Sequence, residues 1–150
     1  MSYKVKDIAA YIVNRSIEKE KYVSNLKLQK LLYYVQAYFA VNNNTPCFNE
    51  DFEHWRHGPV IPEVYSEYKV YFNDDITDYK EHEQIKQKDK MAIAKVVDSY
   101  SDYNAWDMVR KTHSELPWVN TDKNDIIEWK EISDYFNKNR DKVLGVWDGE

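Results

Sequence analysis

Side chains of the types that bind zinc occur at two places along this 150-residue chain. His54 and His57 form an H-x-x-H pair, and His113 and Glu115 follow much later. A zinc site needs three or four ligands held on a tetrahedron. This H-x-x-H pair falls in a predicted strand and loop instead of on one helical face, and no pair of cysteines completes the set. We therefore predict that the chain binds no metal.

Two residues are candidate nucleophiles, Cys47 and Ser114, and neither lies in a recognisable activating motif. Ser114 directly follows His113, and the side chains of adjacent residues seldom face each other. The chain also lacks a glycine-rich phosphate loop. We predict that the protein is not an enzyme and uses no cofactor. An enzyme that uses His113 and Glu115 beside a cleft is the catalytic alternative.

The charge balance narrows the classes of partner. The chain carries 21 basic and 26 acidic residues, a formal net charge of −5. A generic nucleic-acid-binding protein has a basic face, so nucleic acid is not an expected partner. A protein partner with a basic surface is compatible with this charge. The 13 Tyr, 5 Trp and 5 Phe form either the edge of a core or a binding surface.

Three further features of the sequence indicate where in the cell the protein is located. The single cysteine forbids an intramolecular disulfide and fits a reducing cytosol. No stretch approaches 18 consecutive apolar residues, and the first residues contain no apolar signal region. We expect a cytoplasmic protein that is neither secreted nor inserted in a membrane.

Apolar periodicity and capping residues predict a series of helices. Ser24 is a suitable N-cap for the second helix, and Asn104 with Asp107 resembles a capping box. The predicted helices cover residues 3–18, 24–42, 62–72, 86–100, 105–111 and 129–139. Residues 73–83 form an acidic stretch that is either a solvated loop or a contact for a basic partner. Residues 144–150, which include Trp147, either fold back on the domain or act as an exposed ligand.

The expected fold is mainly all-α, an orthogonal multi-helix single domain over residues 1–150. Its core spans about residues 5–137, followed by a short tail at 138–150. A two-stranded β ribbon near Phe52 and Ile127 is compatible with the pattern. The second helix should be buried near the centre, because Leu28, Leu32 and Val35 fall on one apolar stripe.

Two amides on that helix, Gln29 and Gln36, flank the apolar stripe. Buried amides need fixed partners, and an irregular loop packed against the helix can supply its backbone groups. Gly58 and Pro59 make such a loop. We expect His57 to hold this turn against the helix, with Trp55 in the core or along its edge.

The segment at residues 112–118, THSELPW, predicts a helix end. Pro117 cannot continue a helix, and His113 near the C-terminus can bond the last free carbonyls. Glu115 could accept a hydrogen bond from His113 or from a backbone amide. Trp118 is large enough to plug the rim of the domain. The alternative is a surface groove in which His113 and Glu115 face a partner.

Three motifs in this order resemble the Panacea, or SocA-like, antitoxin domain family. They are LQKLLYYVQ at residues 28–36, Trp55 with GPVIP at residues 58–62, and THSELPW at residues 112–118. The resemblance covers roughly residues 5–137. The residues that carry it, and that we take as family-signature or protein-binding candidates, are Gln29, Tyr33, Gln36, Trp55, His57, Gly58, Pro59, His113, Glu115 and Trp118.

The resemblance implies a non-enzymatic antitoxin that neutralises a cognate toxin by direct binding. Members of this family are often phage-associated and pair with many unrelated toxins. Some relatives act instead as adaptors that hand the toxin to a AAA+ protease, which is the first alternative. A phage-encoded interaction protein without a toxin partner is the second.

Overall fold

A computed structural model describes residues 2–145 of the chain. Within them are seven α-helices and a small sheet. The helices are α1 (Val5–Glu18), α2 (Asn25–Asn42), α3 (Pro62–Tyr68), α4 (Gln87–Ser99), α5 (Ala105–His113), α6 (Leu116–Val119) and α7 (Trp129–Lys138). Two 3₁₀ turns, Lys69–Tyr71 and Arg140–Lys142, follow α3 and α7. The prediction of a mainly helical fold is confirmed.

Helix α2 is the centre of the molecule. It packs against α1, α3, α4, α5 and α7, and most of its residues are buried. A helix that is covered on all sides needs no polar face. The predicted central position is confirmed, but the apolar stripe underestimates the burial, because Lys30 and Tyr34 on other sides of the helix are buried as well.

The sheet contains three antiparallel strands in the order β2-β1-β3. They are β1 (Phe52–Trp55), β2 (Gly58–Val60) and β3 (Ile126–Ile127). Phe52 pairs with Ile127, which are the two residues that the sequence suggested for a ribbon. The segment that forms strand β2 had been predicted as a loop, so the sheet has one strand more than the predicted ribbon. Pro59 cannot donate a ladder hydrogen bond, and β2 accommodates it because it is an edge strand.

Local capping signals are confirmed at two helices. Ser24 Oγ accepts a hydrogen bond from the Lys27 amide at 3.2 Å. Asn104 and Asp107 form a full capping box at the start of α5. Helix α5 then runs to His113, two residues further than predicted. Pro117 does not merely end a helix: it lies in the first turn of α6, where a missing amide hydrogen costs nothing.

The acidic stretch at residues 73–83 has no helix or strand, as predicted, but it is fastened at defined points. Ile76 is fully buried, and its amide donates to the Val23 carbonyl at 2.9 Å. Asn14 brackets Lys80, donating to its carbonyl at 2.8 Å and accepting from its amide at 2.9 Å. The stretch therefore presents its charges from a fixed backbone.

The chain after α7 packs back on the core as far as it is described. Val143 is buried, and its carbonyl accepts a hydrogen bond from the Tyr100 hydroxyl at 2.6 Å. The Gly145 amide donates to Ser99 Oγ at 2.9 Å. Trp147, whose two alternatives were stated above, lies outside the described residues. None of the described helices is both long and apolar enough to cross a bilayer.

Candidate functional site

The β1–β2 hairpin and α5 both pack against α2, and several of the family-signature residues make contacts there. Gln29 Oε1 accepts a hydrogen bond from the Ile61 amide at 2.9 Å, just after β2. Its Nε2 donates to Asn25 Oδ1 at 3.0 Å. This amide fixes the exit of the hairpin to the central helix.

Gln36 fastens a different segment. Its Oε1 accepts from the Cys47 amide and its Nε2 donates to the Phe48 carbonyl, each at 2.8 Å. Both glutamines therefore bond backbone groups of irregular chain, as predicted, but only Gln29 reaches the segment after Gly58 and Pro59. Gln36 holds the chain that enters β1.

Lys30 is the residue that holds the Gly58–Pro59 turn against α2, a role that we had assigned to His57. The Lys30 side chain is 0% exposed, and its Nζ donates to the Pro59 carbonyl at 3.1 Å. Burial lowers the pKa of Lys30 to about 7. Lys30 was not among the residues predicted from the sequence. Its only signal was a lysine inside the apolar run of residues 28–36.

Gly58 is required where the turn meets Lys30. Its φ is +108°, a conformation that residues with a Cβ rarely adopt. A Cβ built there would lie 2.6 Å from Lys30 Cε and 2.9 Å from Thr112 Oγ1. Helix α2, the hairpin and α5 thus meet at one point that has no room for a side chain.

Trp118 lies between two imidazole rings. His54 and His113 stack on it with ring centroids 4.0 Å away and interplanar angles of 18° and 20°. His54 Nδ1 is also 2.9 Å from the Trp118 carbonyl oxygen. The three rings connect β1, the end of α5 and α6, so Trp118 does seal the rim of the domain. His113 stacks on Trp118, whereas we had predicted that it bonds the last carbonyls of its helix.

The surroundings of His113 disfavour its charged form. Burial lowers its pKa first, and the positive charges of Lys30, His54 and His57 lower it further. A backbone hydrogen bond at Arg56 acts in the opposite direction. Nε2 of His113 is buried without a hydrogen-bond partner among the described residues. The ring therefore serves as a neutral stacking element.

Glu115 does not face a surface groove, so this alternative from the sequence analysis is wrong. Its side chain is buried, accepting from the Tyr34 hydroxyl at 2.8 Å and from Lys111 Nζ at 2.9 Å. Burial raises the pKa of Glu115, and the ammonium of Lys111 opposes that rise. Among the described residues, neither His113 nor a backbone amide is its partner. Glu115 ties α2 to the start of α6.

Tyr33 and Trp55 occupy two different environments. Tyr33 is fully buried and makes edge contacts with the rings of Tyr34, Phe52 and Phe136 at 5.2–5.8 Å. Trp55 lies along the edge of the core, one of its two predicted positions. Its Nε1 donates to Glu53 Oε1 at 2.9 Å, and its ring is 5.1 Å from that of Tyr65.

His57 stands apart from the buried contacts. It is exposed, and its ring meets that of Trp106 edge-on at 4.9 Å. The described residues contain no group of three His, Cys, Asp or Glu side chains that could hold a metal ion. Cys47 is buried and burial raises the pKa of its thiol, which makes it a poor nucleophile. The site is built for fastening segments and presenting a surface.

The sequence model of the family described as Antitoxin SocA-like, Panacea domain, matches residues 28–119. Antitoxin SocA of Caulobacter vibrioides (strain NA1000 / CB15N) is 38% identical over 64 residues, which are 43% of this chain and 34% of that protein. CRISPR-associated endoribonuclease Cas13a of Leptotrichia wadei (strain F0279) is 29% identical over 159 residues, covering 96% of this chain and 13% of that protein.

The chain thus spans 34% and 13% of the lengths of these two curated relatives. No solved structure matches. The family match covers more than half of the chain and contains every contact described above that joins α2 to the hairpin and to α5 and α6. The chain therefore belongs to the Antitoxin SocA-like, Panacea domain family.

Proposed function

We propose that this chain is an antitoxin-type protein that neutralises a partner toxin by direct protein–protein binding, in the cytoplasm and without catalysis. The observation that carries the proposal is the family match over residues 28–119. That range holds the fastened hairpin and the α5–α6 segment in one rigid arrangement. A rigid surface loses little conformational entropy when a partner binds.

The environment of the titratable groups supports a binding role. Lys30 and Cys47 are buried, and Glu115 has its oxygens bonded to Tyr34 and Lys111. A general acid, base or nucleophile must reach a substrate. These groups stabilise the fold instead. The surface offers exposed apolar side chains, among them Trp106, which is 50% exposed, and such side chains are typical anchors of protein interfaces.

The test uses the protein product of the gene next to this one, the usual position of a toxin in such pairs. The two proteins are co-expressed, growth rescue is scored, and the complex is isolated by a tag on one partner. We expect the neighbour's product to be toxic alone, growth to be restored by this chain, and a stable complex to form.

The same assay in a strain without its AAA+ proteases separates the alternatives. Rescue that persists there supports direct neutralisation. A complex whose rescue disappears without the proteases establishes the adaptor function. A neighbour that is not toxic and forms no complex favours an interaction protein without a toxin partner, and a toxic neighbour that forms no complex with this chain contradicts direct binding.

A further inference from the structure

An exposed apolar patch lies on and just after α3, next to Trp55, whose ring contacts that of Tyr65. It consists of Tyr65, Val70 and Phe72, and we call it the Phe72 patch. Val70 is 68% exposed and Phe72 is 80% exposed. The three side chains line an open groove of about 580 Å³ with polar residues at its margin. Large apolar side chains that gather on a surface groove mark sites of interaction.

Phe72 has a backbone conformation that ordinarily belongs to glycine. Its φ is +55° and its ψ is −122°, and the Asp74 amide donates to the Tyr71 carbonyl at 3.0 Å. These values describe the second residue of a type II′ turn, a position dominated by glycine. This strained backbone conformation does not bury the side chain of Phe72, because its ring is exposed. Strain that the fold does not require indicates a function for the side chain that causes it.

The segment of sequence that carries the patch is acidic. Between Glu63 and Glu83 the chain contains seven acidic and two basic residues, a net charge of −5, which equals the formal net charge of all 150 residues. The rest of the sequence is therefore balanced. Asp74 and Asp75 directly follow the turn that presents Phe72, and both are exposed. The apolar groove is thus formed largely by the most acidic segment of the sequence, although Lys69 is among the residues that line it.

We propose that the Phe72 patch is the surface that binds the partner toxin, and that it accepts a segment with an apolar anchor flanked by basic residues. This inference rests on the proposed function. The apolar anchor would fill the groove between Tyr65 and Phe72, where its burial supplies affinity. The flanking basic residues would face Asp74 and Asp75, which speeds encounter and sets orientation.

The experiment measures binding of the neighbouring gene's product to the wild-type chain and to matched variants by surface plasmon resonance. Phe72→Ala and Phe72→Gly are each expected to weaken the complex about tenfold or more, mainly through faster dissociation. Asp74→Asn combined with Asp75→Asn is expected to slow association and to reduce its dependence on salt. Met91→Ala on α4, where the side chain is 64% exposed, is the control and should bind like the wild type.

Thermal unfolding of the same variants separates binding from folding. Phe72→Gly should unfold at the same temperature as the wild type or higher, because glycine accepts the turn without strain, so its weaker binding cannot result from misfolding. Wild-type binding with unchanged affinity in both Phe72 variants overturns the assignment of this surface and leaves the proposed function intact. Weakening by Trp106→Ala instead would place the contact at the start of α5, beside the hairpin. Absence of wild-type binding overturns both proposals.

Discussion

Gln36 is a buried amide with both of its polar ends bonded to backbone groups. Gln36→Leu would leave the Cys47 amide and the Phe48 carbonyl without partners in the core. We expect this substitution to lower the free energy of unfolding by roughly 1–3 kcal/mol, measured by urea denaturation. Gln84→Leu is the control, since Gln84 is exposed. Equal midpoints for both variants would mean that other contacts hold the chain that enters β1.

Lys30 is a fully buried amine whose described hydrogen bond goes to the Pro59 carbonyl. Burial lowers its pKa to about 7 in the folded state, whereas an unfolded lysine titrates near about 10.4. Between these values the unfolded state binds more protons, so the free energy of unfolding should rise with pH, by up to about 1.4 kcal/mol per pH unit. Below about pH 7 the lysine is protonated in both states and this dependence ends.

The check on Lys30 is the variant Lys30→Met, compared with the wild type from pH 6 to pH 8.5. This range avoids the opposite effect of Cys47, whose raised folded-state pKa lowers stability above its unfolded pKa of about 8.5. We expect the wild type to gain stability relative to the variant above about pH 7. Parallel pH profiles would mean that Lys30 stays charged in the fold or is hydrated.

The polar contacts of single residues were predictable to different degrees. The buried hydrogen bonds of Gln29 and Gln36 could be predicted, because an amide beside an apolar stripe needs a hydrogen-bond partner. The burial of Lys30 could not be predicted, because a lysine on a helix is ordinarily solvated. Its burial depends on a turn 28 residues away at Gly58, and nothing local to residues 28–36 encodes that contact.

At the scale of elements, the β1–β2 hairpin depends on the absence of a side chain at Gly58. Gly58→Ala would place a Cβ 2.6 Å from Lys30 Cε in a residue with φ of +108°. Backbone strain costs about 1–3 kcal/mol and overpacking costs about 1–3 kcal/mol. We expect a loss of about 2–4 kcal/mol in the free energy of unfolding, measured by urea denaturation.

Gly145→Ala is the comparison variant for Gly58→Ala. Its Cβ would lie 2.2 Å from the Ser99 carbonyl oxygen, but Gly145 lacks the positive φ of Gly58, so this substitution adds a clash without the strain of a left-handed backbone. We expect the smaller effect there. An equal or larger loss in Gly145→Ala would show that the hairpin has more freedom than its contacts with α2 and α5 indicate.

Whether an element could be predicted depends on how far apart in the sequence the contacts that form it lie. Ser24 and Asn104 cap helices through bonds three residues away, so the sequence predicts both starts. Strand β2 and helix α6 are three and four residues long and have no periodicity to detect. They exist because β1 and α5 hold them in place. The same holds for the stacking of His54 and His113 on Trp118, which joins elements far apart in the sequence.

For the whole molecule, the residue at position 72 affects stability through two opposing free energies, the strain of the backbone and the entropy of the unfolded chain. A residue in this region costs about 1–3 kcal/mol of strain, whereas glycine costs about 0.5–1 kcal/mol through the entropy of the unfolded chain. The balance favours glycine for stability, which is why Phe72→Gly should not destabilise the fold. The chain keeps a less stable residue within its most acidic segment, and this agrees with selection for binding.

We further propose that residues 1–150 form a single cooperative domain, since α2 contacts five other helices and leaves no segment with a separate core among the described residues. Urea unfolding should then give one transition, with the same midpoint by far-UV circular dichroism and by tryptophan fluorescence. The two probes weight different regions, because the helices are distributed over the molecule whereas three of the five tryptophans, Trp55, Trp106 and Trp118, lie at the hairpin and α5–α6. An earlier fluorescence transition would show that this region unfolds separately from α1, α2 and α4. Coincident curves would mean that the contacts of Lys30, Gln29 and Glu115 couple the hairpin and the α5–α6 segment to the core as one unit.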